Sequence, residues 1–158
     1  MILMDELFSA SNTEYVTRVA IRLGAAALLG GLIGLEREVM GKAAGLRTHM
    51  TVALGCAAFM LVAIDSSTDP SNISRAIQGI AAGIGFIGAG TILKRTEEED
   101  IKGLTTAASV WLTAAVGAAA GAGQGWLGLI GVVIAFLILS ILSGVDTWLA
   151  KRRGGRAE

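Results

Sequence analysis

The sequence predicts an all-α integral membrane protein of five transmembrane helices, with the N-terminus outside and the C-terminus cytoplasmic, and three observations predict it. Hydrophobic residues make up 53% of the 158, mean hydropathy is +0.66, and only 16% are charged, against roughly 25% in soluble domains. The apolar residues gather into five continuous runs, each of the roughly 17–25 residues that cross a hydrocarbon core of about 30 Å. Lysine and arginine fall between and beyond those runs, on alternate sides of the predicted membrane. Unbroken runs also disfavour a transmembrane β-barrel, whose strands alternate apolar and polar residues.

Residues 1–14 form a periplasmic or interfacial N-terminal segment. Asp5 and Glu6 stand where a secretory signal would carry basic residues, so no cleavable signal is read there. The spans follow at 15–35, 48–64, 75–93, 104–122 and 126–149. Short connections join them into one five-helix membrane domain over 15–150, followed by a basic tail, 151–158. Orientation rests on the thirteen basic residues. Arg37, Lys42 and Arg47 lie in the first connection, Lys94, Arg95 and Lys102 in the third, and Lys151, Arg152, Arg153 and Arg156 in the tail. These ten belong to the cytoplasm by the positive-inside rule. The opposite connections contain no Lys or Arg. A formal net charge of zero conceals this asymmetry, gives no footprint for nucleic acid, and leaves the tail to face anionic lipid.

Glycine supplies the second pattern, with twenty-two residues concentrated inside the spans. In lipid, small residues four apart let helices approach closely. Ala26, Gly30 and Gly34 form such a ridge on the first span. Gly79 and Gly83, then Ala81, Gly85 and Ala89, form two on the third, and Ala115, Ala119 and Gly123 form one on the fourth. Packing within one bundle is the plain structural role; a homodimer interface is the sharper one. The run Gly83, Gly85, Gly88 and Gly90 also suggests a helix that unwinds and offers carbonyl oxygens to an ion.

Polar residues cluster at the two ends of the spans. A cytoplasmic cluster comprises Glu36, Arg37, Arg47, Lys102, Thr105 and Thr106, with Glu36 and Arg47 expected to pair across the first hairpin. It reads as a clasp that fixes topology, or as a gate or docking surface. An outer cluster comprises Arg22, Asp69, Arg75 and Gln78. Arg22 lies about 6 Å deeper than Arg18 at the rise of a helix, so it needs a protein partner, whether Glu14, Asp65, Asp69 or a helix carbonyl. Arg75 and Gln78 share a face at i,i+3, and are the preferred functional pair on this side. The acidic run 97–100 is a solvated loop. Cys56 is a lone cysteine read as a small core residue, and His49 is read as packing or capping, with no second ligand at metal spacing.

Four ordered motifs carry a family resemblance: GLIGLERE from Gly31, GKAAGLRTH from Gly41, DPSNISRAIQGIAAGIGFIGAGTIL from Asp69, and KGLTTAASVWLTAAVG from Lys102. Together they resemble the membrane domain of the MgtC/SapB family, from about Arg18 to the end of the fifth span. The resemblance implies a bacterial inner-membrane protein linked to magnesium limitation, acid stress and survival in host cells. It is similar to the short branch without the ACT-like soluble domain that some members carry.

Between the levels of Arg22 and Glu36 no span contains Asp, Glu, Lys, Arg or His, and Asp146 lies near the cytoplasmic end of the fifth. Carboxylate-coupled transport commonly needs an intramembrane acid. The sequence therefore favours a regulator that binds other membrane components and so affects magnesium and proton homeostasis. A low-capacity magnesium or proton permease is the alternative, and an intramembrane enzyme is disfavoured because no nucleophile and base share a depth. The expected partners are the bilayer, a second copy of the chain and another inner-membrane complex. No cofactor is expected, and the sequence assigns no metal site.

Overall fold

The computed structural model describes residues 10–66, 69–94 and 101–141. Helix α1, Ala10–Val39, runs for 30 residues, about 45 Å at 1.5 Å per residue. It begins inside the stretch expected to be a separate N-terminal segment, because residues 10–14 have no proline or glycine to stop the helix; residues 1–9 lie outside the described residues. Its other end is set by Gly41, whose φ of +64° suits only glycine without strain. The Lys42 N–H donates to Arg37 O and the Gly41 N–H to Glu38 O, the paired bonds of a glycine-terminated helix.

Helix α2, Leu46–Asp65, starts after Gly45, which offers no side-chain cap. Glu38 reaches across to accept the Leu46 N–H at 2.7 Å, placing a carboxylate at the positive end of the helix. At the far end the Tyr15 hydroxyl donates to Asp65 Oδ2 and ties the start of α1 to the close of α2. Helix α3, Pro70–Gly90, opens on a proline in its first turn, capped by Asp69, which accepts from the Ser71 N–H at 2.9 Å and the Ser71 hydroxyl at 2.6 Å. A two-residue antiparallel ladder follows, β1 (Leu93–Lys94) against β2 (Ile101–Lys102). Leu93 thus belongs to the ladder, not to the third span, and the acidic run 97–100 lies outside the described residues.

Helix α4, Leu104–Gly121, follows Gly103 at φ +96°. Helix α5, Gly125–Phe136, continues into a π-helical turn, Leu137–Ile141. Among the described residues four helices are long and apolar enough to cross a membrane: Asn12–Val39, Leu46–Asp65, Ser71–Gly90 and Leu104–Gly121. The apolar stretch Gly125–Ser140 is shorter; residues 142–149 of the expected fifth span, with Asp146, and the tail 151–158 lie outside the described residues.

Helices α2 and α4 form the centre. A Cβ on Gly117 would stand 2.5 Å from Ala53 Cα, and one on Gly121 2.7 Å from Ala57 Cα, so these backbones touch where only glycine fits. Ala26, Ala53, Ala57 and Ala120 make a core of small side chains around that contact. Helix α1 packs on α2 through the expected ridge: a Cβ on Gly30 would lie 2.6 Å from Ala53 Cβ, and one on Gly34 2.8 Å from Leu46 Cα. Helix α5 closes on α1 and α4 through Ile33, Val116, Val132 and Ala135. Helix α3 lies at the periphery, anchored by Ile84 against Cys56, Val110 and Ala114. Cys56 is thus the core residue the sequence suggests.

Two glycine expectations are corrected. On α4 the packing ridge is Gly117 and Gly121, not Ala115, Ala119 and Gly123; Ala115 is exposed, because the face two residues away meets α2. Helix α3 is continuous through Gly83, Gly85, Gly88 and Gly90, so its carbonyls are committed to the helix and supply no backbone ion pathway. Gly79, Gly83 and Gly85 have no neighbour within 4 Å of where a Cβ would stand, while Gly88 lies at ordinary contact distance from Ala107.

Candidate functional site: a buried polar layer at one end of the bundle

Where α1 ends and α2 begins, the structure buries an ion pair. Arg37 is 2% exposed and Glu36 6%. Arg37 Nε donates to Glu36 Oε2 at 2.5 Å and Nη2 to Oε1 at 2.7 Å, a two-pronged contact in which the guanidinium fork matches the carboxylate. The Ser140 hydroxyl, in the π-helical turn of α5, reaches Glu36 Oε1 at 3.5 Å. Such turns shift a helix's register and are common at functional positions; this one directs a hydroxyl toward the pair.

His49 completes the layer from α2. It is fully buried, and Nδ1 lies 2.9 Å from Gly45 O and Nε2 3.2 Å from Ser109 Oγ on α4. A carbonyl only accepts, so Nδ1 carries a hydrogen. Ser109 Oγ also lies 2.8 Å from Thr106 O. Its hydroxyl hydrogen therefore has two destinations: Nε2 of a neutral imidazole, or Thr106 O when Nε2 is itself protonated. Thr113, fully buried one turn further along, donates to Ser109 O at 2.8 Å. Among the described residues every buried side-chain nitrogen and oxygen has a hydrogen-bond partner, and no three His, Cys, Asp or Glu converge as a metal site.

The expected cytoplasmic cluster is only partly assembled. Glu36 and Arg37 meet, and Thr106 is buried; Arg47, Lys102 and Thr105 are exposed. The Glu36–Arg47 pair is corrected to Glu36–Arg37, because Arg47 sits on the outward face of the first turn of α2 while Arg37 points inside. The layer instead recruits His49, Ser109 and Ser140. Their signal in the sequence was polarity within apolar runs, strongest for His49, the only histidine in the chain.

The outer cluster does not assemble either. Arg22 Nη1 donates to Gly121 O at 3.1 Å, filling a carbonyl left open at the end of α4 where the helix dipole favours a cation. This is the helix-carbonyl partner among those expected. Asp69 caps α3, Arg75 donates to Asn72, and Gln78 is exposed on α3, so these three stand on a different element from Arg22's contact. Arg18 pairs with Glu14 at 3.8 Å, one helical turn away and in the open.

The model of the MgtC family matches residues 23–148, from the second half of α1 through the fifth helix. The chain belongs to the MgtC family. Among family relatives it is 46% identical over 133 residues to Protein SrpB of Synechococcus elongatus, covering 77% of this chain and 73% of SrpB. It is 44% identical over 128 residues to the Escherichia coli K12 protein named "Putative magnesium transporter YhiD", covering 77% of this chain and 59% of YhiD. It is 47% identical over 108 residues to Protein MgtC of Brucella abortus strain 2308, covering 68% of this chain and 44% of that protein. The chain thus spans nearly three quarters of SrpB but only about half of the length of the other two. No solved structure matches it. The family match and the apolar helices together make this a multi-pass membrane protein, and both halves of the buried ion pair fall within the matched stretch.

Proposed function

We propose that this MgtC-family protein resides in the bacterial inner membrane, N-terminus outside, and regulates magnesium and proton homeostasis by binding other membrane components. The name of YhiD ties that relative to magnesium transport, which supports a magnesium setting here. The observation that carries the regulatory reading is the Glu36–Arg37 pair. Both carboxylate oxygens are engaged by one guanidinium, so the only buried acid among the described residues is neutralised and shielded from a passing cation. Magnesium sheds water reluctantly and is usually held by free carboxylates; this one is occupied. A neutral, fully hydrogen-bonded layer joining α1, α2, α4 and α5 suits a rigid body that presents a surface to a partner.

A second reading, the low-capacity permease, draws on the π-helical turn that brings Ser140 to Glu36, where a shift of α5 would open the ion pair to water. Growth in a bacterium stripped of its magnesium transporters separates the two. A regulator has no transporter to act on there and leaves growth dependent on very high external magnesium. Restored growth at low magnesium, lost with Glu36→Gln, would establish the permease.

A further inference from the structure

At the end opposite the buried pair, a groove of about 790 Å³ runs between α1 and the α4–α5 turn. Arg18, Ile21, Arg22 and Ala25 form one wall, and Ala120 and Gly123 the other. Its position relative to a bilayer follows from the length of α1. That helix is about 45 Å long, roughly 15 Å more than a hydrocarbon core. With Arg37 at one boundary of the core, 30 Å is about twenty residues, which puts the other boundary at Thr17. Arg18 then lies at the core boundary, where its long side chain extends to the headgroups, Arg22 about 6 Å deeper, and Ile21 and Ala25 among the acyl chains. One groove therefore carries a cationic group at the headgroup boundary, a second one turn deeper, and apolar side chains beside them.

The charges are available. Glu14, the acid lining the groove, is 86% exposed on its side chain and 3.8 Å from Arg18; an exposed pair of this kind contributes less than about 1 kcal/mol and yields to a better-placed anion. Arg22 donates from Nη1 to Gly121 O, and a guanidinium has five N–H donors. Gly123, at φ +81°, lets the Arg22 guanidinium lie against the α4–α5 turn, since a Cβ there would stand 2.7 Å from Nη2.

We infer that this groove binds an anionic phospholipid, with its phosphate held between Arg18 and Arg22 and one acyl chain lying along Ile21 and Ala25. Purified full-length protein in a neutral detergent, titrated with phosphatidylglycerol, phosphatidylcholine or inorganic phosphate and followed by native mass spectrometry, tests it. Phosphatidylglycerol is retained at least tenfold more tightly than phosphatidylcholine, and inorganic phosphate is not retained. Arg18→Gln, an exposed position, lowers phosphatidylglycerol retention about tenfold, and Ala25→Phe, which fills the apolar part of the groove, lowers it while keeping both charges. Equal retention of the two lipids, or wild-type retention by both variants, overturns the inference. Retention of inorganic phosphate as tight as that of phosphatidylglycerol would make this a phosphate site and overturn the lipid assignment.

Discussion

Replacing Arg37 with Gln leaves the Glu36 carboxylate buried without its partner. The side chains of the pair are 2% and 4% exposed and joined by two short bonds. Breaking a buried pair by removing one partner destabilises by roughly 3–5 kcal/mol, two to almost four powers of ten in the folding equilibrium. The molecule contains its own control: Arg18 and Glu14 pair at 3.8 Å with side chains 56% and 86% exposed, and such a pair contributes about 0–1 kcal/mol. Reversible unfolding in mixed micelles of rising SDS fraction, followed by tryptophan fluorescence and helical circular dichroism, compares the two. Arg37→Gln should be several-fold more destabilising in free energy than Arg18→Gln. The double variant Glu36→Met, Arg37→Met should recover most of the loss, because replacing both charges by apolar groups removes the desolvation penalty. Equal costs for the two single variants, both under about 1 kcal/mol, would refute a buried, mutually neutralising pair.

Gly117→Ala puts a methyl group against the Ala53 backbone and should destabilise by about 1–3 kcal/mol, whereas Gly79→Ala, with nothing within 4 Å, should be neutral or stabilise by up to about 1 kcal/mol; thermal unfolding of the two distinguishes them. His49→Leu removes two hydrogen bonds from a fully buried position and should cost about 1–3 kcal/mol. Combined with Ser109→Ala it should cost less than the sum of the singles, in a double-mutant cycle measured by the same unfolding. Hydrogen bonds from the Ser71 side chain and N–H hold the Asp69 carboxyl below its ordinary range. That cap is therefore fully present above the ordinary carboxylate pKa and is lost as pH falls through the lowered value. Amide exchange in the first turn of α3 should rise on acidification, and Asp69→Ala should show the faster exchange already at neutral pH.

Hydropathy located the spans because lipid demands it, but not their ends: α3 starts at Pro70, five residues before the expected 75, because Asp69 caps it and a proline suits its first turn. Phase was not legible. Ala115, Ala119 and Gly123 have the same four-residue period as Gly117 and Gly121, and periodicity alone cannot say which of two faces 200° apart meets α2. The ion pair failed for a related reason. The hairpin connection brings Glu36 near Arg47 in sequence terms, and neighbouring residues on a helix do not ordinarily face each other; in the structure Arg37 folds back because the interior around it offers no other acid among the described residues. Arg22 was placed correctly in one respect, since its depth alone required a protein partner, although which carbonyl filled that role depended on where α4 ended.

Flux through liposomes containing the purified protein tests the central claim most directly. Under magnesium or pH gradients the account predicts rates equal to those of empty liposomes, because the buried carboxylate is already held by Arg37. Saturable magnesium or proton flux that disappears with Glu36→Gln would contradict it.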